Sequence, residues 1–255
     1  MITLRSTFKD LVRKAARRAG YDIVRYPSPY PPDFSANRVA LCDRVSPYTM
    51  TTPERVDGLA AAVEYVVKQD IPGALVECGV WKGGSAMAMA LTLLEAGVRD
   101  RDIYLYDTFS GMSAPGEVDV AFDGRQASEM FEQTKQSEDA SDWCRSPLDE
   151  VRRNVESTGY PPERLHFVEG KVEDTIPGTM PEDIAILRLD TDWYESTKHE
   201  LTHLYPRLVE QGLLLIDDYG HWRGARKAVD EYIDQHGLRL LLNRLDYTGR
   251  IAIKS

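Results

Sequence analysis

Short apolar runs recur along this 255-residue chain, and most are followed by a stretch whose apolar side chains repeat at helical spacing. The runs are Ala74–Cys78, Ile103–Tyr106, Leu165–Val168, Ile184–Leu189 and Leu213–Ile216. The spacing predicts helices over Pro53–Lys68, Ser85–Glu95, Pro147–Ser157, Glu195–Val209 and Ala225–Gln235, with Gly97, Gly159, Gly212 and Gly237 as stop signals. Strands that alternate with helices are joined by crossovers, so neighbours run parallel. The right-handed preference of such crossovers places helices on both faces of the sheet. Two last strands, Leu238–Leu242 and Arg250–Ile253, flank an Asp246–Gly249 turn. A connection that short forces an antiparallel pair. The expectation is an α/β protein with a doubly wound, mostly parallel, Rossmann-like sheet and an antiparallel last strand.

Composition narrows the class. Apolar residues make up 42% of the chain, enough for a packed core and too many for a disordered one. No run of 18 apolar residues exists, so no spanning helix is expected. Cys42, Cys78 and Cys144 are odd in number and far apart, which predicts neither a disulfide framework nor a CxxC metal site and points to a reducing cytoplasm. A net charge of −10 argues against a nucleic-acid partner.

That charge is unevenly spread. Residues 1–26 carry seven basic side chains and two acids, leaving −15 on the remainder. Phe8, Leu11, Val12, Ala15 and Ala19 fall near helical spacing, so this segment reads as a basic amphipathic helical arm. It has no apolar core of the kind a secretory signal needs. An arm of this kind packs on its own domain or on a subunit partner in a homo-oligomer, expected to be a dimer. The alternative is peripheral contact with an anionic membrane. YPSPYPPDF (26–34) then reads as a stiff linker. The expected division is an arm and linker over 1–45 and a domain over 46–255. Residues 110–145, long and polar, read as a lid-like insertion.

In a doubly wound sheet, ligands sit at the carboxyl ends of the strands. The first strand runs into Glu77-Cys78-Gly79-Val80-Trp81-Lys82-Gly83-Gly84-Ser85. These glycines permit a tight turn and a close approach to a ligand before a helix N-terminus. The pattern is neither GxGxxG nor a P-loop. The second strand ends in Asp107, placed either to hold both hydroxyls of a ribose or to cap a helix. The third ends in Glu169-Gly170-Lys171, an edge suited to framing an adenine. The fourth runs into Asp190-Thr191-Asp192 and the fifth into Asp217-Asp218. Parallel neighbours bring these four carboxylates to one edge, where they repel unless a cation sits among them. Oxygen-only ligands favour Mg²⁺, then Mn²⁺ or Ca²⁺. The plainer alternative is a set of helix caps.

VECGVWKGGS (76–85), YDTFSGM (106–112), LRLDTDWYEST (187–197), LTHLYPRL (201–208) and IDDYGHWRGARKAVDEY (216–232) together resemble the macrocin O-methyltransferase (TylF/MycF) type of sugar O-methyltransferase, and YTMTTPERV (48–56) matches the segment that crosses its cofactor. The resemblance spans roughly Tyr48 to the C-terminus and implies a class I methyltransferase fold, S-adenosylmethionine as methyl donor, Mg²⁺, and a small-molecule or oligosaccharide acceptor. It implies cofactor contacts at Met50, Thr51, Glu77, Gly79, Ser85, Asp107, Thr108 and Gly170. Asp190, Asp217 and Asp218 are then the metal ligands and Asp192 the general base. Trp193, Tyr194 and His221 are offered to the acceptor.

Two rival motifs are present. His199-Glu200-Leu201-Thr202-His203 is a literal HExxH, the helix motif of zinc proteases, though Pro206 follows one turn later. Asp190-Thr191-Asp192 is also the DxD of metal-dependent glycosyltransferases, a reading that leaves the glycine loop and Asp217-Asp218 unexplained.

Overall fold

The structure, a computed structural model, describes residues 11–21 and 30–255. The chain divides into two units, Met1–Ser35 and Ala36–Ser255. In the first, residues 11–18 form a helix on which Leu11 and Val12 are exposed, while residues 1–10 and 22–29 of the expected arm and linker lie outside the described residues. The second begins earlier than the sequence suggests. Helix α1 (Ala36–Val45) buries Cys42 and Val45 and so belongs to the folded unit.

Helix α2 (Pro53–Lys68) starts where Thr52 accepts from the Arg55 amide and Pro53 supplies a preset first turn. Strand β1 (Ala74–Cys78), helix α3 (Gly84–Glu95) and strand β2 (Ile103–Asp107) follow. The insertion holds helix α4 (Ala127–Thr134) and a small hairpin, β3 (Lys135–Ser137) with β4 (Ala140–Ser141). Then come α5 (Leu148–Glu156), β5 (Leu165–Glu169), α6 (Val172–Thr175), β6 (Ile184–Leu189), α7 (Tyr194–Leu204), β7 (Leu208–Ile216), α8 (Arg223–His236), β8 (Asn243–Arg244) and β9 (Arg250–Ile253).

The seven-stranded sheet has the order β5-β2-β1-β6-β7-β9-β8. The first five are parallel; β9 runs antiparallel to β7, and β8 antiparallel to β9. β1 and β6 are buried along their whole length, as strands covered on both faces must be. Helices α1, α2, α3 and α5 pack as one group and α6, α7 and α8 as another, the two layers of a doubly wound fold.

Two boundaries differ from expectation. The helix predicted to Val209 stops at Leu204, because Pro206 cannot continue it; Tyr205–Arg207 form a short 3₁₀ turn and β7 begins at Leu208, opposite Ile184. Leu238–Leu242, predicted as a strand, joins no strand ladder among the described residues. Leu238, Leu240 and Leu242 pack against the core while Leu241 is exposed, and the edge ladder is made by Asn243 and Arg244 instead.

Candidate active site

Strand periodicity builds the charged centre. Val76, Cys78, Leu187, Leu189, Leu214 and Ile216 enter the core beneath α6, α7 and α8, so Glu77 and Arg188 face the other side. Glu77 and Arg188 are also register partners on β1 and β6. Asp190 lies two residues beyond Arg188 and returns to the same face. The Arg188 guanidinium donates to Glu77 Oε1 at 2.6 Å, Asp190 Oδ2 at 2.7 Å and Asp217 Oδ1 at 2.7 Å. Arg55 of α2 pairs with Asp217 and, at 3.0 Å, with Asp246. Burial works against the charge on Arg188, but Asp190, Asp217 and Glu77 outweigh it and keep it protonated.

Asp190, Asp192 and Asp218 bring carboxylate oxygens within 4.8 Å of one another. Burial pushes Asp192 up to about 7 and Asp190 and Asp218 well above the usual carboxylate range, with neighbouring carboxylates adding to the effect. The charges of Asp192 and Asp218 act on each other, and two adjacent carboxylates resist being ionised together. Asp192 also has φ +70°, a left-handed conformation that aspartate tolerates better than most residues. Six acids (Glu77, Asp190, Asp192, Asp217, Asp218 and Asp246) face Arg188 and Arg55 here. This all-oxygen, under-neutralised donor set fits a hard divalent cation. Asp217, expected among the ligands, pairs with Arg55 and Arg188 and lies outside the three-carboxylate group.

Two cavities meet at Asp190. One is lined by Gly79, Asp107, Thr108 and Gly170; the other by Met50, Thr51, Glu77, Ser85, Asp192 and Asp218. The eight residues expected at the cofactor therefore divide between them, four in each. Asp107 already serves the chain: its carboxylate accepts from the amides of Val80 (2.7 Å), Trp81 (3.1 Å) and Phe109 (2.7 Å) and so holds the glycine loop in place. Oδ2 takes both the Val80 and the Trp81 amide, so the spare acceptor capacity of this carboxylate lies on Oδ1. Glu77 is buried with Oε2 unpartnered, an acceptor aimed at no group of the protein. An ammonium is the partner such an oxygen fits. Gly79 has φ +84°, and a Cβ there would collide with the Asp190 carbonyl. The glycine thus lets the ends of β1 and β6 come together.

The insertion is bound into this centre. Asp119, buried, accepts from the Tyr194 amide at 2.9 Å and caps α7 from outside the helix. Gly224 of α8 leaves room for it, since a Cβ there would strike the Asp119 carboxylate. Trp143 of the insertion packs with Trp193 and Trp222, ring centroids 5.1–6.1 Å apart. Trp193 is consequently buried, with Nε1 donating to the Ser113 carbonyl at 3.1 Å. Tyr194 points elsewhere, its hydroxyl on Glu231 and its ring between Lys198 and Lys227. Neither residue lines either cavity, a departure from their expected place against the sugar; His221 does line the acidic cavity.

HELTH builds no metal site. His199 Nε2 lies 2.9 Å from the Ile176 carbonyl, while Glu200 turns inward, fully buried, to accept from the Thr191 hydroxyl at 2.8 Å. The would-be base is thus on the core side, away from the two rings. Among the described residues, Asp190, Asp192 and Asp218 are the group of such side chains that converges.

Sequence reasoning missed Arg188, Arg55 and Asp119. The signal for Arg188 was available, a single charge inside the apolar run ILRL. Arg55 and Asp119 carry no local signal, because their partners lie far along the chain.

The sheet order, the glycine loop after β1 and the acidic ends of β6 and β7 define a class I methyltransferase fold. Residues 28–252 match the macrocin O-methyltransferase (TylF) family. The chain is 35% identical over 202 residues to the 8-demethyl-8-(2,3-dimethoxy-alpha-L-rhamnosyl)-tetracenomycin-C 4'-O-methyltransferase of Streptomyces olivaceus, covering 79% of this chain and 74% of that one. It is 35% identical over the same length to the mycinamicin III 3''-O-methyltransferase of Micromonospora griseorubida, with 79% and 76% covered. The solved structure of the O-methyltransferase NovP superposes with a TM-score of 0.72 at 32% identity over 82% of each chain. The chain belongs to the macrocin O-methyltransferase family and is an O-methyltransferase.

Proposed function

We propose that this enzyme transfers a methyl group from S-adenosylmethionine to a hydroxyl of a sugar or glycoside, assisted by a divalent cation, Mg²⁺ first. The observation that carries the reading is the Asp190–Asp192–Asp218 group at the junction of the two cavities. The Streptomyces olivaceus relative is described as methylating a rhamnosyl-bearing acceptor, which agrees with an acceptor of that class.

A sugar hydroxyl is a poor nucleophile near neutral pH, and a hard cation lowers the pKa of an oxygen it polarises. Asp190 and Asp218 would hold that cation, with Asp217 steadying Arg188 and Arg55 beside it. Asp192 accepts the acceptor's hydroxyl proton. Its elevated proton affinity, about 7, suits a base working near neutrality. Glu77 Oε2 takes the cofactor's ammonium, Met50, Thr51 and Ser85 flank its amino-acid end, and Asp107 with Thr108 and Gly170 hold its nucleoside end. His221 stands on the acceptor side. A cytoplasmic setting agrees with three cysteines that are odd in number and far apart. The role left to the chain is alignment: it fixes the hydroxyl and the methyl donor in line while excluding water.

Incubation with S-adenosylmethionine, Mg²⁺ and a panel of mono- and oligosaccharides should give products heavier by one methyl group. Excess EDTA should stop the reaction and Mg²⁺ restore it. Full activity in EDTA overturns the metal, and no methylated sugar overturns the acceptor class.

A further inference from the structure

The rim of the acidic cavity carries an aromatic surface that extends outward from His221. Phe122 of the insertion, His221 after β7 and Tyr247 before β9 stand with ring centroids 5.5 Å (Phe122–His221), 6.3 Å (His221–Tyr247) and 6.4 Å (Phe122–Tyr247) apart, each pair near perpendicular. Phe122 is 58% exposed and Tyr247 57% exposed. Single exposed aromatics need no explanation, but three contiguous rings joined to a cavity do. His221 and Tyr247 line that cavity.

These rings are held in position. The Phe122 amide donates to the His221 carbonyl at 2.8 Å, and Ala121 bridges to Trp222. The Gly220 amide donates to the Thr248 carbonyl at 3.0 Å, and Asp246 closes the Tyr247 turn by accepting from the Thr248 and Gly249 amides at 2.9 Å and 2.7 Å. Polar groups border the rings. Asp123 and Arg125 form an exposed ion pair at 2.8 Å close enough to His221 to act on its charge, and His221 Nδ1 is buried without a partner.

Exposed ring faces edged by hydrogen-bonding side chains match one kind of molecule well. A pyranose offers a C–H face to stack on aromatic rings and hydroxyls at its perimeter to bond. A flat, wholly apolar group would use the rings and leave the perimeter unused. We propose that Phe122, His221 and Tyr247 form a subsite for a second sugar ring, so that the acceptor is at least a disaccharide whose methylated ring lies over Asp192 while its neighbour rests on Phe122 and Tyr247. This rests on the methyltransferase reading and extends it to the substrate's size.

The test uses the whole protein with S-adenosylhomocysteine and Mg²⁺ on an array of monosaccharides, di- and trisaccharides and aryl monoglycosides, with methyl transfer measured in parallel. Di- and trisaccharides should be captured about tenfold better than their component monosaccharides, a stacked ring's worth of affinity. Phe122→Ala should erase that advantage and Phe122→Tyr keep it, with S-adenosylhomocysteine affinity unchanged in both. Equal capture of mono- and oligosaccharides, an advantage that survives Phe122→Ala, or a preference for aryl glycosides over oligosaccharides each overturns the second-ring subsite. Methyl transfer to a monosaccharide without an oligosaccharide advantage overturns the subsite alone. Oligosaccharide capture that depends on Phe122, without methyl transfer to any glycan, overturns the methyltransferase reading of the acceptor alone.

Discussion

At the scale of single residues, Asp192 and Arg188 divide the chemistry from its scaffold. Asp192→Asn preserves shape and removes basicity, so kcat should fall about 10²–10⁴-fold while calorimetry finds S-adenosylhomocysteine affinity nearly unchanged. A variant that keeps most of its kcat removes Asp192 as the base. Arg188→Met acts differently, because it leaves Glu77, Asp190 and Asp217 buried together without their shared cation. A broken buried network of this kind costs about 3–5 kcal/mol, to be read as a fall in the urea midpoint. A loss under about 1 kcal/mol, the scale of an exposed pair, would mean that the site is wetter than its burial implies. The carboxylates at the strand ends were legible in sequence because residue type and strand position suffice to place them. Arg188 stood in plain view, yet its meaning depends on β1 lying beside β6 with Glu77 opposite it, and strand order is not written in any local pattern.

Among elements, helix α7 depends on a group from outside itself. Its first free amide, at Tyr194, is taken by Asp119, which lies 75 residues earlier. Asp119→Ala should cost about 0.5–2 kcal/mol of stability, the range for a lost N-cap, measured by chemical denaturation. The same change should lower kcat, since the Asp192 turn leads directly into this helix. An unchanged urea midpoint would show that solvent caps α7 equally well. Strands buried on both faces, β1 and β6, were legible from their apolar runs alone. The edge of the sheet was not: Leu238, Leu240 and Leu242 satisfy the core by packing, whereas the ladder at Asn243 and Arg244 is chosen by the register of β9. Hydrophobicity reports burial, and edge pairing is a separate choice.

For the whole molecule, the buried acids tie folding to pH and to the cation. Glu77 and Asp192, each pushed up to about 7 by burial, hold protons in the folded chain that the unfolded chain has released. The folded state therefore binds more protons between the ordinary carboxylate range and about 7, and stability must fall as pH rises through that window. Metal-stripped protein should lose Tm from about pH 4 to about pH 7, and Mg²⁺ should restore more of it at the upper end, where the carboxylates are charged. A Tm that rises with pH in EDTA contradicts this. The anchoring of the insertion has a bearing on redesign. Segments between core strands are attractive modules for exchanging selectivity between related enzymes, but this one carries the cap of α7 and one wall of the tryptophan cluster. A chimera that imports a foreign stretch between Ser110 and Arg145 removes the support of the Asp192 turn along with the old selectivity. Transplants succeed only as matched sets, with Asp119 travelling beside Gly224 and Trp143 beside Trp193 and Trp222.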